Sequence, residues 1–228
     1  MKKKLIILAL LVFAIFISGC INILPTLEDD SITPGEGRLE IYLTDSSEKY
    51  KANDSENYSA VYITISKIEA HIAGDDEATE GEWSELELKN GEAIFDLIEL
   101  KNEGLSVLLS EVELEPGKYT QIRLFVTDAS ILVETEEIKE DSKLIEVTAE
   151  VPSDAIDVEI PSVYQTGLKL IHPFEINDGE TTELTIDFDA EKSIIKTGNG
   201  EYKLKPVIKV VTSSTDEDGE KRVKYRII

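Results

Sequence analysis

Apolar and polar positions alternate with a period of two along most of this chain, and that period predicts strands rather than helices. Leu39, Ile41 and Leu43 alternate with Glu40, Tyr42 and Thr44. Val61, Ile63 and Ile65 open a second run, which continues in the opposite phase as Ile68, Ala70 and Ile72. A phase change at Ser66-Lys67 without a turn residue predicts a β-bulge. Trp83, Leu86 and Leu88 give a third run; a turn at Asn90-Gly91 and a short strand around residues 94–97 follow. Residues 105–112 fit either a strand or one or two helical turns.

Glu115-Pro116-Gly117-Lys118-Tyr119 has Pro second and Gly third, the order that suits a type II turn. It feeds a strand in which Ile122, Leu124 and Val126 alternate with Gln121, Arg123 and Phe125. Ile131 and Val133, then Ile145, Val147, Ala149 and Val151, predict further strands. Leu168 and Leu170, with Phe174 and Ile176, flank His172-Pro173. Leu184, Ile186 and Phe188 alternate with Thr185, Asp187 and Asp189. Tyr202, Leu204, Pro206, Ile208 and Val210 read as one face of a long strand, and Asp218-Gly219 predicts a C-terminal hairpin. Many short strands separated by turn signals predict an all-β fold, a mostly antiparallel β-sandwich over residues 37–228 with little helix. Roughly 190 residues suffice for one well-buried core.

The first twenty residues break this pattern. Lys2, Lys3 and Lys4 precede an unbroken apolar run over residues 5–17, then Ser18, Gly19 and Cys20. A basic start, a short apolar segment and small residues before a cut make an export signal. The tetrad Ile17-Ser18-Gly19-Cys20 resembles the lipobox of bacterial and archaeal lipoproteins, in which the cysteine is lipidated and becomes the mature N-terminus. The competing reading is an uncleaved membrane helix. Thirteen apolar residues span only about 20 Å of a ~30 Å hydrocarbon core. Extending the helix to residue 24 would bring Ser18, Gly19, Cys20 and Asn22 into lipid. Either reading leaves the basic start in the cytoplasm and the remainder outside. Residues 21–36, with Pro25, Glu28-Asp29-Asp30, Pro34 and Gly35, have no regular period and read as a tether.

Charge narrows the partners. The chain carries −24, and from Cys20 onward 20 basic residues face 47 acidic ones, a net of −27. That sign argues against nucleic acid, where binding is dominated by Lys and Arg on phosphates. It leaves divalent cations, basic partners or plain solubility. Cys20 is the only cysteine, so the exported domain stands without an internal disulfide and nucleophilic cysteine chemistry is excluded.

Several segments together resemble a known family. They are residues 37–45 (Gly-Arg-Leu-Glu-Ile-Tyr-Leu-Thr-Asp), residues 61–71, Trp83, residues 116–124 beginning Pro-Gly-Lys-Tyr, Asp187-Phe188-Asp189-Ala190, and residues 202–208. In this order they resemble the domain-of-unknown-function family 4382, found on exported and lipid-anchored prokaryotic proteins. The resemblance covers about residues 37–211 and brings no activity with it. Pro-Gly-Lys-Tyr also resembles a turn of transthyretin-like and immunoglobulin-like sandwich domains, which implies a fold and not a function.

Motifs for chemistry are sparse. The two histidines, His71 and His172, lie far apart, and neither a Gly-x-Ser-x-Gly elbow nor a Gly-rich phosphate loop occurs. Asp45 follows a strand end, and Asp187 and Asp189 sit at another; together they are the candidate ligands for a Ca²⁺ ion, which takes six to eight oxygens. Asn53 and Asn57 each begin an Asn-x-Ser glycosylation acceptor. Tyr42, Tyr50, Tyr58, Tyr62 and Trp83 are candidates for an aromatic sugar platform. The sequence thus reads as a membrane-anchored, extracytoplasmic, non-catalytic binding or structural module, with an envelope polysaccharide or protein as partner. An accessory subunit of a surface or transport complex and an extracytoplasmic hydrolase are the alternatives. Cys20→Ser is expected to abolish metabolic lipid labelling of the chain; undiminished label would overturn the lipobox reading.

Overall fold

The alternating pattern folds into strands because each strand buries one row of side chains and leaves the other outside. The structure is a computed structural model that describes residues 32–46, 57–74, 81–133, 150–164, 166–215 and 221–227, of which residues 214–215 and 221–227 are described by backbone alone. The signal segment with Cys20, most of the tether, Asn53, Tyr50 and the expected strand at residues 145–149 lie outside the described residues. Val151 belongs to no strand and is 40% exposed.

Two sheets make the sandwich. The first has five strands: β1 (Gly37–Thr44), β5 (Ser106–Leu114), β9 (Thr181–Phe188), β12 (Ile208–Thr215) and β13 (Lys221–Ile227), in the order β13-β12-β9-β1-β5. The second has eight. Its main path, β10-β11-β7-β6-β2-β3, runs through β10 (Ile194–Lys196), β11 (Tyr202–Leu204), β7 (Ile156–Glu159), β6 (Gly117–Val133), β2 (Tyr58–Ile72) and β3 (Trp83–Leu86). β4 (Ala93–Asp96) joins it on β2, and β8 (Leu168–Ile176) joins it on β6. The chain crosses repeatedly from one sheet to the other, and two short helices sit at crossings: α1 (Leu97–Glu103) between β4 and β5, and α2 (Ala190–Ser193) between β9 and β10. Among the described residues no helix is long and apolar enough to cross a membrane.

The core is filled by the inward rows of both sheets. Leu39, Ile41 and Leu43 of β1, Ile63, Ile65 and Ile68 of β2, Leu124 and Ile131 of β6 and Phe188 of β9 are 0% exposed. The bulge expected at Ser66-Lys67 is present: Ile65 pairs with Val126 and Lys67 with Phe125, which leaves Ser66 without a partner and carries the inward row from Ile65 to Ile68.

The sandwich is mostly antiparallel, as expected, while β1 pairs with β9, and β7 with β11, in parallel. Other expectations require correction. Residues 97–103 form a helix where the period suggested the end of a strand. Gly117 is not the positive-φ corner of a type II turn; it opens β6, where a Cβ would stand 3.3 Å from Ile72 Cδ1. Close packing, not turn geometry, is what suits glycine there. Residues 202–210 are two strands in different sheets. The chain crosses between them at Lys205-Pro206-Val207, where Lys205 N–H donates to Ser193 O and Val207 N–H to Ser193 Oγ, each at 2.8 Å.

Because the core is built from fully enclosed aliphatic side chains, Ile63→Ala is expected to cost about 3 kcal/mol of stability in denaturant unfolding. Ile171→Ala, on a side chain in a position 56% exposed, is expected to change it by less than about 0.5 kcal/mol.

Candidate functional site

Parallel pairing of β1 with β9 brings their C-terminal ends to the same edge of the first sheet, with Thr44 opposite Asp187. The residues that follow each strand then meet. Ser46 N–H donates to Asp187 Oδ1 at 2.8 Å and Ser46 Oγ–H donates to Oδ2 at 2.6 Å. The N–H of Ala190, the first residue of α2, donates to Asp45 Oδ2 at 3.0 Å. Asp45 is 1% exposed and Asp187 7%. The Lys209 ammonium of β12 stands 3.9 Å from Asp187 Oδ2.

A cavity of about 500 Å³ opens at this edge, lined by Thr44, Asp45, Ser46, Ser106, Thr185, Asp187 and Val211, and by Lys101 of α1 and the Gly104 that ends it. A hollow of that size falls within the range of small-ligand sites. Lys101 is nearly enclosed, its side chain 6% exposed. Its ammonium lies 3.1 Å from Glu191 of α2, an ion pair that lacks hydrogen-bond geometry, so the buried nitrogen makes no hydrogen bond.

Helix α1 places Lys101, and its sequence explains why it forms. Asp96 is the N-cap, and its Oδ1 accepts the N–H groups of Ile98 at 3.0 Å and Glu99 at 3.4 Å. Leu97, Ile98 and Leu100 are the buried side chains. Gly104 ends the helix at φ 64°, a left-handed conformation that glycine adopts without strain, and its N–H turns back onto Leu100 and Lys101 carbonyls. Asp96 also ties the helix to β2, because the same Oδ1 accepts Val61 N–H at 3.1 Å. Burial pushes the Asp96 carboxyl up to about 6, against the lowering effect of the three N–H donors. All three donors converge on Oδ1, which leaves Oδ2 able to carry a proton.

The sequence-derived candidates separate as follows. Asp45 and Asp187 are brought together. Asp189 is not part of the same set: it caps α2, with Oδ1 accepting Lys192 N–H at 3.1 Å and Oδ2 pairing with Lys192 Nζ at 2.6 Å. Among the described residues no group of three His, Cys, Asp or Glu side chains is placed to hold a metal ion. Asn57 is exposed just before β2. Lys101 went unnoticed in the sequence, although Asp96-Leu97-Ile98-Glu99 is a capping box and Gly104 a stop signal.

The aromatic candidates among the described residues do not form one platform. Tyr42 is half-buried on the outer face of the first sheet and its hydroxyl donates to Glu40 at 2.9 Å. Tyr62 is buried. Tyr58 packs edge-on to Tyr202, centroids 6.4 Å apart. Trp83 lies on the outer face of the second sheet, with the Arg123 guanidinium 3.7 Å from its ring centre and the His71 ring at 4.8 Å. His172, the other histidine, is buried against Thr212.

A family model described as Domain of unknown function (DUF4382) matches residues 36–206. The chain belongs to the DUF4382 family. The match begins at the residue before β1 and ends between β11 and β12, so the DUF4382 domain contains both β1 and β9, and with them the cavity edge. No curated protein and no solved structure matches the chain.

The Asp96 carboxyl gives a pH signature of this frame. Its folded pKa of about 6 exceeds the usual carboxylate value. Between about pH 4 and 6 the folded state therefore holds a proton that the unfolded state has lost. Stability from this group is greatest below that window and falls as pH rises through it, by about 3 kcal/mol in all. Asp96→Asn keeps a capping oxygen and does not titrate. Unfolding free energies of the two proteins should diverge in the variant's favour from pH 4 to pH 6; parallel curves would show the carboxyl is not raised.

Proposed function

We propose that this DUF4382 protein is a lipid-anchored, extracytoplasmic binding module of the cell envelope. The anchor rests on the Lys2–Lys4 start, the apolar run at residues 5–17 and the lipobox-like Cys20. The binding role rests on one observation: the cavity at the β1/β9 edge is bordered by carboxylates already committed to protein donors. Asp187 uses both oxygens on Ser46, and Asp45 accepts the N–H that opens α2. Such an arrangement fixes shape and polarity before a ligand arrives, which lowers the ordering cost of binding. A general acid or base needs a proton-transfer path to substrate, and these oxygens spend their geometry on the frame. The acidic surface supports a partner that is not nucleic acid.

Binding and turnover are separated by experiment. The full chain, immobilised in detergent, is expected to retain a solubilised envelope polysaccharide fraction and to show no turnover on glycoside, ester and peptide panels. Turnover on any panel would replace the binding module with a hydrolase. A protein partner recovered in fixed stoichiometry, with no polysaccharide retained, would replace it with an accessory subunit.

A further inference from the structure

We infer that Asn57 carries an N-linked glycan, an assignment that rests on the export reading above. Asn53 and Asn57 each begin an Asn-x-Ser acceptor, whereas Asn22, Asn90, Asn102, Asn177 and Asn199 do not. Asn53 lies outside the described residues, so the geometry bears on Asn57 alone. A transferase must reach two side chains together: the asparagine amide that receives the sugar, and the hydroxyl two residues on. An extended backbone turns residues i and i+2 to one side and the residue between them to the other. The start of β2 has this arrangement. Asn57 and Ser59 are both exposed. Tyr58 between them packs edge-on to Tyr202, which is itself 5% exposed.

The backbone here also leaves the hydroxyl within reach. The register of β2 on β6 steps from Tyr58↔Val133 to Ala60↔Leu132 and passes over Ser59. Ser59 Oγ–H donates to Leu132 O at 3.4 Å, a long bond that an acceptor on a transferase displaces at little cost. From Ala60 to Ile65 the strand is buried, so the acceptor occupies its last accessible end. A glycan on Asn57 stands at the surface, bulky and polar, and displaces no packed side chain. The transfer is a substitution at carbon. The donor is a lipid-linked oligosaccharide whose anomeric carbon is bound to a lipid phosphate. Asn57 Nδ2 bonds to that carbon, the carbon–oxygen bond breaks, and the lipid phosphate leaves with the electron pair. The proton lost from Nδ2 passes to a base of the transferase, and nothing is oxidised or reduced.

The full-length chain is purified in detergent from its natural host and read by intact mass and by mapping of proteolytic glycopeptides. The peptide that contains Asn57 is expected to carry a mass increment made of sugar residues, attached at the Asn57 amide. Asn57→Gln and Ser59→Ala should each abolish that increment. Ser59→Thr, which keeps the hydroxyl, should retain it, and Asn53→Gln should leave it in place. Wild-type protein whose Asn57 peptide is wholly unmodified would overturn the assignment, and so would an increment at Asn57 that survives Ser59→Ala. Protease added outside intact cells separates this inference from the export reading. If the domain is cleaved while Asn57 is unmodified, the glycan is wrong and export stands. If the domain is protected and Asn57 is unmodified, both fall.

Discussion

The parallel pairing of β1 with β9 governs the rest of this structure. Two strands far apart in sequence lie side by side in one direction, so both arrive at the same edge and both deliver their following residues there. An antiparallel neighbour would have sent Asp187 to the opposite edge from Asp45. Parallel strands need a long crossover, and here everything between β1 and β9 supplies it, including all of β2 to β8. The consequence is that the cavity closes only when the whole domain has formed. Asp45 to Ala190 spans 145 residues and Ser46 to Asp187 spans 141, so these bonds report global rather than local order.

A chain this acidic must also distribute its repulsion, and the sheet registers show how. On the outer face of the first sheet Glu40 lies opposite both Glu111 and Glu183. Burial, then the hydrogen bond to Glu40, then the charge of these three carboxylates push the Tyr42 hydroxyl up to about 12. The same row is relieved at its margins: Arg38 lies 3.8 Å from Glu111, Lys89 pairs with Glu111 at 2.7 Å, and Ser213 donates to Glu183 at 2.8 Å. On the second sheet, Glu69 is flanked by Lys67 at 2.8 Å and Arg123 at 3.5 Å, and these cations also lie over Phe125 and Trp83. Such partly exposed pairs contribute little singly, but they keep like charges from stacking unopposed across strands. Trp83 serves this network: the ring face nearest Arg123 is already covered, which explains why an aromatic legible in the sequence is not a free stacking surface.

The strands, the bulge at Ser66 and the terminal hairpin were legible because period two is a local property of half-buried strands. What the period cannot carry is partner identity. The same Thr44 and Asp187 read equally well at the ends of antiparallel strands, so the sequence could pick both acids and still miss the reason they meet. It failed with Asp189 for a related cause. Phe188 and Asp189 continue the alternation of β9, but the following Ala190 begins a helix, and a carboxylate at such a boundary satisfies backbone N–H groups first. Residues 97–103 carry cap and stop signals at both ends, yet seven residues are too few to display a helical period against flanking strands. Lys101 was lost with that helix, since its burial depends on α1 packing at the sheet edge.

The Lys101–Glu191 pair supplies the last step. Removing an ammonium from water costs several kcal/mol, and pairing it with a carboxylate recovers that only when hydrogen bonding is good. Here the approach is off-axis and Glu191 keeps a side-chain exposure of 31%, so the pair is a poor instrument of stability. A Met or Leu at position 101 would pack the same wall without the desolvation cost. What the pair does is join α1 to α2, the short helices at two of the crossings between the sheets.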